Sequence, residues 1–438
     1  MAHASEQVFV LLLPTDVYTA AGVAAVVATM IIASLVPFLN KANVPSPGDR
    51  PLPSQQPAGI ARITRVLSLA VLLGLIAMGM LGPYGPLDNL LPLVIWTLWW
   101  LCFPVVQALI GDLWFWAMPW ARQGLRTPLR LPDWVGQWPA VLGLLAFAAF
   151  LLADTSPNDP RHLALVISAY VAATLVAILL FGARQWLARG EFVTVLLSRY
   201  ALLAVIARRE GRLRFCWPGR QIAAMEALPL SGAVFVLVIL GIGSFDGLNE
   251  TFWWLAFLQV NPLEFPGRSA VVQPTLLGLL AANIALVAVF ALTTWLGFAA
   301  CGARDLWREG FCRLAPAILP IALGYHIAHY LTALLVEGQY LIAALSDPWH
   351  RGADYLGLGD FRVTTGFFNQ LDTVRLIWLS QAGAVVVGHV WAVILGHAIA
   401  LRLLRDARRA MISQLPMSIF MIGYTLFGLW LLAAPRGA

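Results

Sequence analysis

The sequence predicts an all-α, polytopic integral membrane protein, and three observations predict it. Apolar residues make up 60% of the 438 and charged residues 11%, where a soluble domain has about half and about a quarter. Mean hydropathy is +0.79. Apolar runs of about 20 residues, long enough to cross a bilayer at about 1.5 Å per residue, recur along the whole chain. A net charge of +6 and a pI of 9.4 would suggest nucleic acid in a soluble protein. Counted loop by loop the charge reports topology instead, and no nucleic-acid partner is expected.

Taken in order, ten spans are predicted: Val17 to Leu39, Val66 to Tyr84, Leu90 to Trp116, Val135 to Ala153, Leu163 to Phe181, Met225 to Ser244, Pro274 to Ala300, Ala315 to Val336, Val374 to Leu401 and Met411 to Ala433. Lys41, Arg50, Arg62 and Arg65 follow the first; Arg122, Arg126 and Arg130 follow the third. Arg184, Arg189, Arg199, Arg208, Arg209, Arg212, Arg214 and Arg220 lie between the fifth and sixth. Arg304, Arg308 and Arg313 follow the seventh, and Arg402, Arg405, Arg408 and Arg409 the ninth. Alternating spans put all of these on one side, which the positive-inside rule makes cytoplasmic, with both termini outside. The bacterial inner membrane is the expected location and its bilayer the expected partner. The opposite loops receive Asp154, Asp159, Asp246, Glu250, Glu264, Glu337, Asp347, Asp354, Asp360 and Asp372.

The chain reads as one transmembrane domain, 1–438, with two connections of distinct character. Residues 182–224 form a basic cytoplasmic loop containing EFVTVLLSRYALLAVI, Glu191 to Ile206. This segment is too short and too flanked by arginine to span, so it is expected as an amphipathic helix on the inner surface. The outer loop 337–373 joins two histidine-bearing spans and is placed to cap whatever they hold. Thr251 to Leu258, TFWWLAFL, suits an interfacial aromatic segment, and most of the 18 tryptophans suit membrane-edge belts. The start, MAHASEQVFVLLLPT, has no basic region of a signal peptide, although Ala2-His3-Ala4 resembles a cleavage site. His3 near a mature N-terminus is a copper candidate, against the blander reading of an untethered leader residue. Four cysteines without CxxC spacing indicate neither a disulfide framework nor a zinc ribbon.

The chemistry is expected on the two spans that carry four of the seven histidines. His326 and His329 sit three apart on the first, on one helical face about 60° and about 4.5 Å apart. His389 falls at similar depth on the second. Three imidazoles can therefore meet if the spans pack together, with His397 about 12 Å deeper and rotated by about 80°. His326, His329 and His389 could ligate zinc, copper or iron, with an open position for hydrolysis or oxygen chemistry. Imidazoles on facing helices, His397 included, could instead hold haem b. The alternatives are imidazoles that tie helices together by hydrogen bonds, or that relay protons. A histidine ligand wants its second nitrogen fixed by a partner, and Tyr325, Tyr330, Gln381 and Asn283 are candidates. Gln107, Asp112 and Ser380 are further polar residues within the spans; Asp112 and Glu226 suit snorkelling to the interface. HExxH, GxSxG, Walker loops, di-iron hydroxylase boxes and the two-haem cytochrome b spacing are all absent.

AHASEQVFVLLLPT at the start, GYHIAHY at 324–330 and GHVWAVILGH at 388–397 together resemble a group of bacterial polytopic membrane proteins commonly labelled fenitrothion hydrolase. The resemblance runs over most of the chain. It implies a membrane-bound enzyme hydrolysing an apolar organophosphate triester, and it carries over no set of catalytic residues. Three functions are therefore expected to compete: a metal-dependent hydrolase of apolar esters, a haem or copper redox subunit with a redox partner, and a proton-coupled transporter.

Overall fold

A computed structural model describes residues 15–35, 51–52, 58–120, 129–209, 212–261 and 267–435. His3, Lys41, Arg50, Arg122, Arg126, Glu264 and the last four residues of the first expected span lie outside them. The described chain is almost entirely helical. Nine helices among the described residues are long and apolar enough to cross a membrane. With α1 (Thr15–Leu35), whose described apolar stretch Val17–Ile32 is shorter, they match the ten runs expected.

These helices are α2 (Ala58–Leu81), α3 (Leu90–Leu109), α4 (Trp138–Ala153) and α5 (Pro160–Phe181). A short α6 (Phe192–Tyr200) follows, then α7 (Leu230–Asn249), α8 (Val272–Ala300), α9 (Leu319–Ser346), α10 (Leu371–Leu404) and α11 (Ala407–Ala433). A small antiparallel sheet, in the order β1-β3-β2, joins β1 (Pro51–Leu52) to the hairpin β2 (Ile206–Arg209) and β3 (Arg212–Phe215). α2 begins eight residues before its expected start, so Arg62 and Arg65 ride on the helix instead of preceding it.

α7 forms the centre of the bundle. Of its apolar window 83% is buried, against 6% for α2, which leaves Ile63, Val66 and Leu67 exposed as lipid-facing residues should be. α9 and α10 cross where both lack side chains. A Cβ on Gly324 would lie 2.3 Å from the Ala384 carbonyl, and one on Gly388 2.5 Å from that of Pro320. Without a hydrophobic drive between helices in lipid, such small residues let backbones approach closely.

Two expectations change. The Glu191–Ile206 segment packs into the bundle: Phe192, Val193, Val195, Leu196, Leu197 and Tyr200 of α6 are all buried. Burial is eased because its carboxylate and much of its polar surface are bonded. Glu191 caps the helix by accepting from Val193 and Thr194 amides at 2.9 and 2.7 Å and receives the Tyr170 hydroxyl, while the Arg199 guanidinium donates to Gln137 at 2.7 Å. The second change concerns Asp246, expected in an outer loop. α7 runs on past Ser244 to Asn249, so Asp246 lies inside its last turn with 1% exposure. The apolar run stops at Ser244, but the helix does not.

Candidate metal centre

The last turn of α7 reads DGLNE. Asp246 and Glu250 stand four apart, which puts their carboxylates on one helical face; Glu250 closes the helix as its C-cap, and Thr251 starts the next short helix by accepting from the Trp254 amide. α9 brings His329 to them. One donor atom from each of Asp246, Glu250 and His329 lies within 4.8 Å of the others, and this is the group of such geometry among the described residues. Asp246 and His329 are buried and Glu250 half-buried. His329 Nε2 stands 3.1 Å from Asp246 Oδ2, and the Tyr330 hydroxyl donates to the same oxygen at 2.6 Å.

Aromatic rings hold His329 in place. Tyr325 stacks on it at 5.9 Å between centroids with 11° between planes, and Tyr330 meets it edge-on at 4.7 Å. Tyr325 fits only because residue 247 is glycine, where a Cβ would come 1.9 Å from its hydroxyl. Arg268, just before α8, anchors the rim by donating to the carbonyls of Leu151 at 2.9 Å and Asp154 at 3.0 Å. Burial lowers its pKa, and the carboxylates of Glu250, Asp246 and Asp154 act in the opposite direction, so the guanidinium stays charged beside the two carboxylates.

The other expected site residues lie elsewhere. His326 turns toward α3, with Nε2 3.3 Å from the Leu101 carbonyl. That carbonyl belongs to a π-helical stretch, Val94–Cys102, beside Pro104, which supplies no backbone donor. His389 donates from Nδ1 to its own helix, at 2.9 Å from Val385 O, with Tyr424 as ring neighbour at 6.4 Å. His397 Nδ1 accepts from Gln414 at 3.1 Å. The structure therefore brings His329 to two carboxylates and does not bring His326, His389 and His397 to the same point.

Of the expected partners, Tyr325 and Tyr330 surround His329. Gln381 instead donates to the Ala328 carbonyl at 2.7 Å, tying α10 to α9, and Asn283 donates to Leu279 of its own helix at 2.8 Å. Gln107 gathers the turn after α3, accepting from the Leu113 and Trp114 amides at 2.8 and 3.0 Å and donating to Asp112 at 3.0 Å. The missed carboxylates had a sequence signal, an acidic pair at i, i+4 directly after an apolar run.

One imidazole and two carboxylates form a donor set for a divalent cation of hard or borderline character, such as zinc, manganese or iron(II), better than for soft copper(I). Compared with family models, curated proteins and solved structures, the chain matches none of them, and the donor set itself defines the chemistry open to this multi-pass membrane protein.

Proposed function

We propose that the protein is a metal-dependent hydrolase of apolar, organophosphate-type esters in the bacterial inner membrane, its ion held by Asp246, Glu250 and His329. The observation that carries the proposal is the meeting of these three donors in a buried setting, where ionisable groups usually serve a ligand or pathway. Three protein donors leave an open coordination position for water, and a metal lowers the pKa of bound water from about 15.7 to about 7, making hydroxide available at neutral pH. Arg268 is suited to favour the negative charge that develops on a phosphoryl oxygen. The resemblance of GYHIAHY and GHVWAVILGH to proteins labelled fenitrothion hydrolase supports the substrate class.

Haem is less favoured, because among the described residues the imidazoles of His326 and His389 engage backbone carbonyls and do not face one another as axial ligands. Proton-coupled transport has one observation in its favour, the direct His329–Asp246 contact at 3.1 Å with Tyr330 on the same oxygen.

Elemental analysis of the purified protein, paired with hydrolysis of an uncharged aryl dialkyl phosphate, separates these readings. The expected result is about one zinc per chain by the four-donor logic of such sites, with turnover lost on chelation and restored by zinc. Metal-free protein that drives proton uptake into liposomes would overturn the hydrolase in favour of transport.

A further inference from the structure

A second site stands at the other end of α7 from Asp246, about 24 Å away along the helix, and goes beyond the hydrolase reading. This is the arginine-rich end, cytoplasmic by the positive-inside rule. The first turns of α4 and α7 meet there. The amide of Gln137, the N-cap of α4, donates to Ser231 Oγ in the first turn of α7 at 2.7 Å. A Cβ on the next residue, Gly232, would stand 2.7 Å from Gln137 Oε1. Neither helix has a side-chain cap or an acidic residue in its first turn. The positive ends of two helices, of 16 and 20 residues, therefore adjoin without an anion of their own.

The guanidinium of Arg199, in the last turn of α6, points to the same junction: Nη2 donates to Gln137 Oε1 at 2.7 Å. Its Nε is buried and bonded to nothing. Burial pulls its pKa down to about 10, so the charge persists at neutral pH, and among the described residues no carboxylate acts in the opposite direction. Arg268 shows the usual arrangement, with carboxylates beside it. Buried cations are normally paired, and the carboxamide that meets Arg199 is neutral.

The surroundings favour an anion with an apolar body. Arg130 and Arg184 are exposed on segments joined by the Leu131 amide donating to Gln185 at 3.1 Å. Asp133, the acid beside them, is already held by Arg189 at 3.1 Å. Trp134, Trp138 and Leu230 are exposed at this end, and Leu142 one turn further along α4; tryptophan at such an edge sits at headgroup level.

We infer that this junction seats the phosphate of an anionic phospholipid from the cytoplasmic leaflet, with Arg199 and the first-turn amides of α4 and α7 as its donors. The phosphodiester supplies the negative charge that the guanidinium lacks, and the acyl chains follow the exposed apolar residues of α4. A zwitterionic headgroup brings its own cation to a face of arginines and is disfavoured.

The test is native mass spectrometry of the full chain released from nanodiscs, titrated with phosphatidylglycerol and with phosphatidylcholine of the same acyl chains. One phosphatidylglycerol is expected to bind saturably, at least tenfold tighter than phosphatidylcholine. Arg199→Gln abolishes that preference, whereas Arg184→Gln, exposed near the same face, changes it less than twofold. Leu230→Asp places a resident carboxylate at the start of α7, where an acid suits the helix; it weakens phosphatidylglycerol several-fold without lowering the unfolding midpoint. Equal affinity for the two lipids, or equal losses from Arg199→Gln and Arg184→Gln, overturns the proposal. Displacement of the lipid by millimolar inorganic phosphate also overturns it, by assigning the junction to a soluble anion. If Arg199→Gln fails to fold, unchanged phosphatidylglycerol affinity in Leu230→Asp overturns it instead. Zinc content, read on the same samples, tests the Asp246 centre separately and bears on nothing here.

Discussion

α9 and α10 each carry two buried histidines, yet only α9 delivers one to a carboxylate pair. On α10, His389 is tied to its own Val385 carbonyl and His397 to Gln414. The spacing of imidazoles along a helix thus says which can share a face, while the neighbouring helix decides what they meet. α9 packs against α7, whose last turn supplies Asp246 and Glu250; α10 packs against α1 and α11, where hydroxyls, an amide and apolar groups predominate.

That contrast breaks most sharply under substitution of its charged members. Asp246→Asn and His329→Ala are each expected to lower zinc affinity at least a hundredfold by competition titration, roughly 2.7 kcal/mol, because each removes one of three donors. His326→Ala and His389→Ala should leave it within about threefold. Equal losses from both helices would erase the distinction.

The helix seam that sets the two apart comes next. Gly324→Leu and Gly388→Leu force a side chain into a backbone carbonyl and should destabilise the protein by about 1–3 kcal/mol or more, read as a lowered unfolding midpoint. Gly383→Leu, on the same helix with nothing within 4 Å of its Cβ, should stay within about 0.5 kcal/mol.

A smaller effect is expected one bond outward from the donors. Tyr330→Phe removes the hydroxyl that fixes Asp246 and should weaken zinc binding roughly tenfold, the low end for outer-shell partners. A structural role alone would lower the unfolding midpoint and leave zinc affinity unaltered.

The weakest expectation concerns the loop that joins the two helices. Asp347 accepts from the Arg351 and Gly352 amides and Asp354 from Leu358 and Gly359, and these bonds hold both carboxyls below the usual 3.8. A depressed folded pKa gives stability that is full above the unfolded value and is lost as pH falls through the folded one. Amide exchange at Gly352 and Gly359 should therefore be pH-independent in protection down to about 4 and lose protection below it. Loss already at pH 6 would assign the loop's order to other contacts.

Helix number and order were legible because a bilayer demands long apolar runs, and those are visible without coordinates. That His326 and His329 share one long apolar helix was legible from their spacing; that they meet different neighbours, Leu101 and Asp246, was not. The carboxylate partners were hidden for a physical reason: hydropathy falls at Asp246 and ends the apolar run, although a helix turn can bury an acid once imidazole and tyrosine surround it. The fate of Glu191–Ile206 was hidden likewise, since arginine within and around it reads as surface until Gln137 is found within reach of Arg199.

The lengths of the two histidine helices carry a last consequence. With 28 and 34 residues, α9 and α10 extend about 42 and about 51 Å, against a hydrocarbon layer of about 30 Å. Such rods lean or stand proud of the lipid. A thicker bilayer would draw them upright and a thinner one would lay them over. Acyl-chain length thereby acts on the tilt of α9, and through that tilt on where His329 stands beside Asp246 of α7.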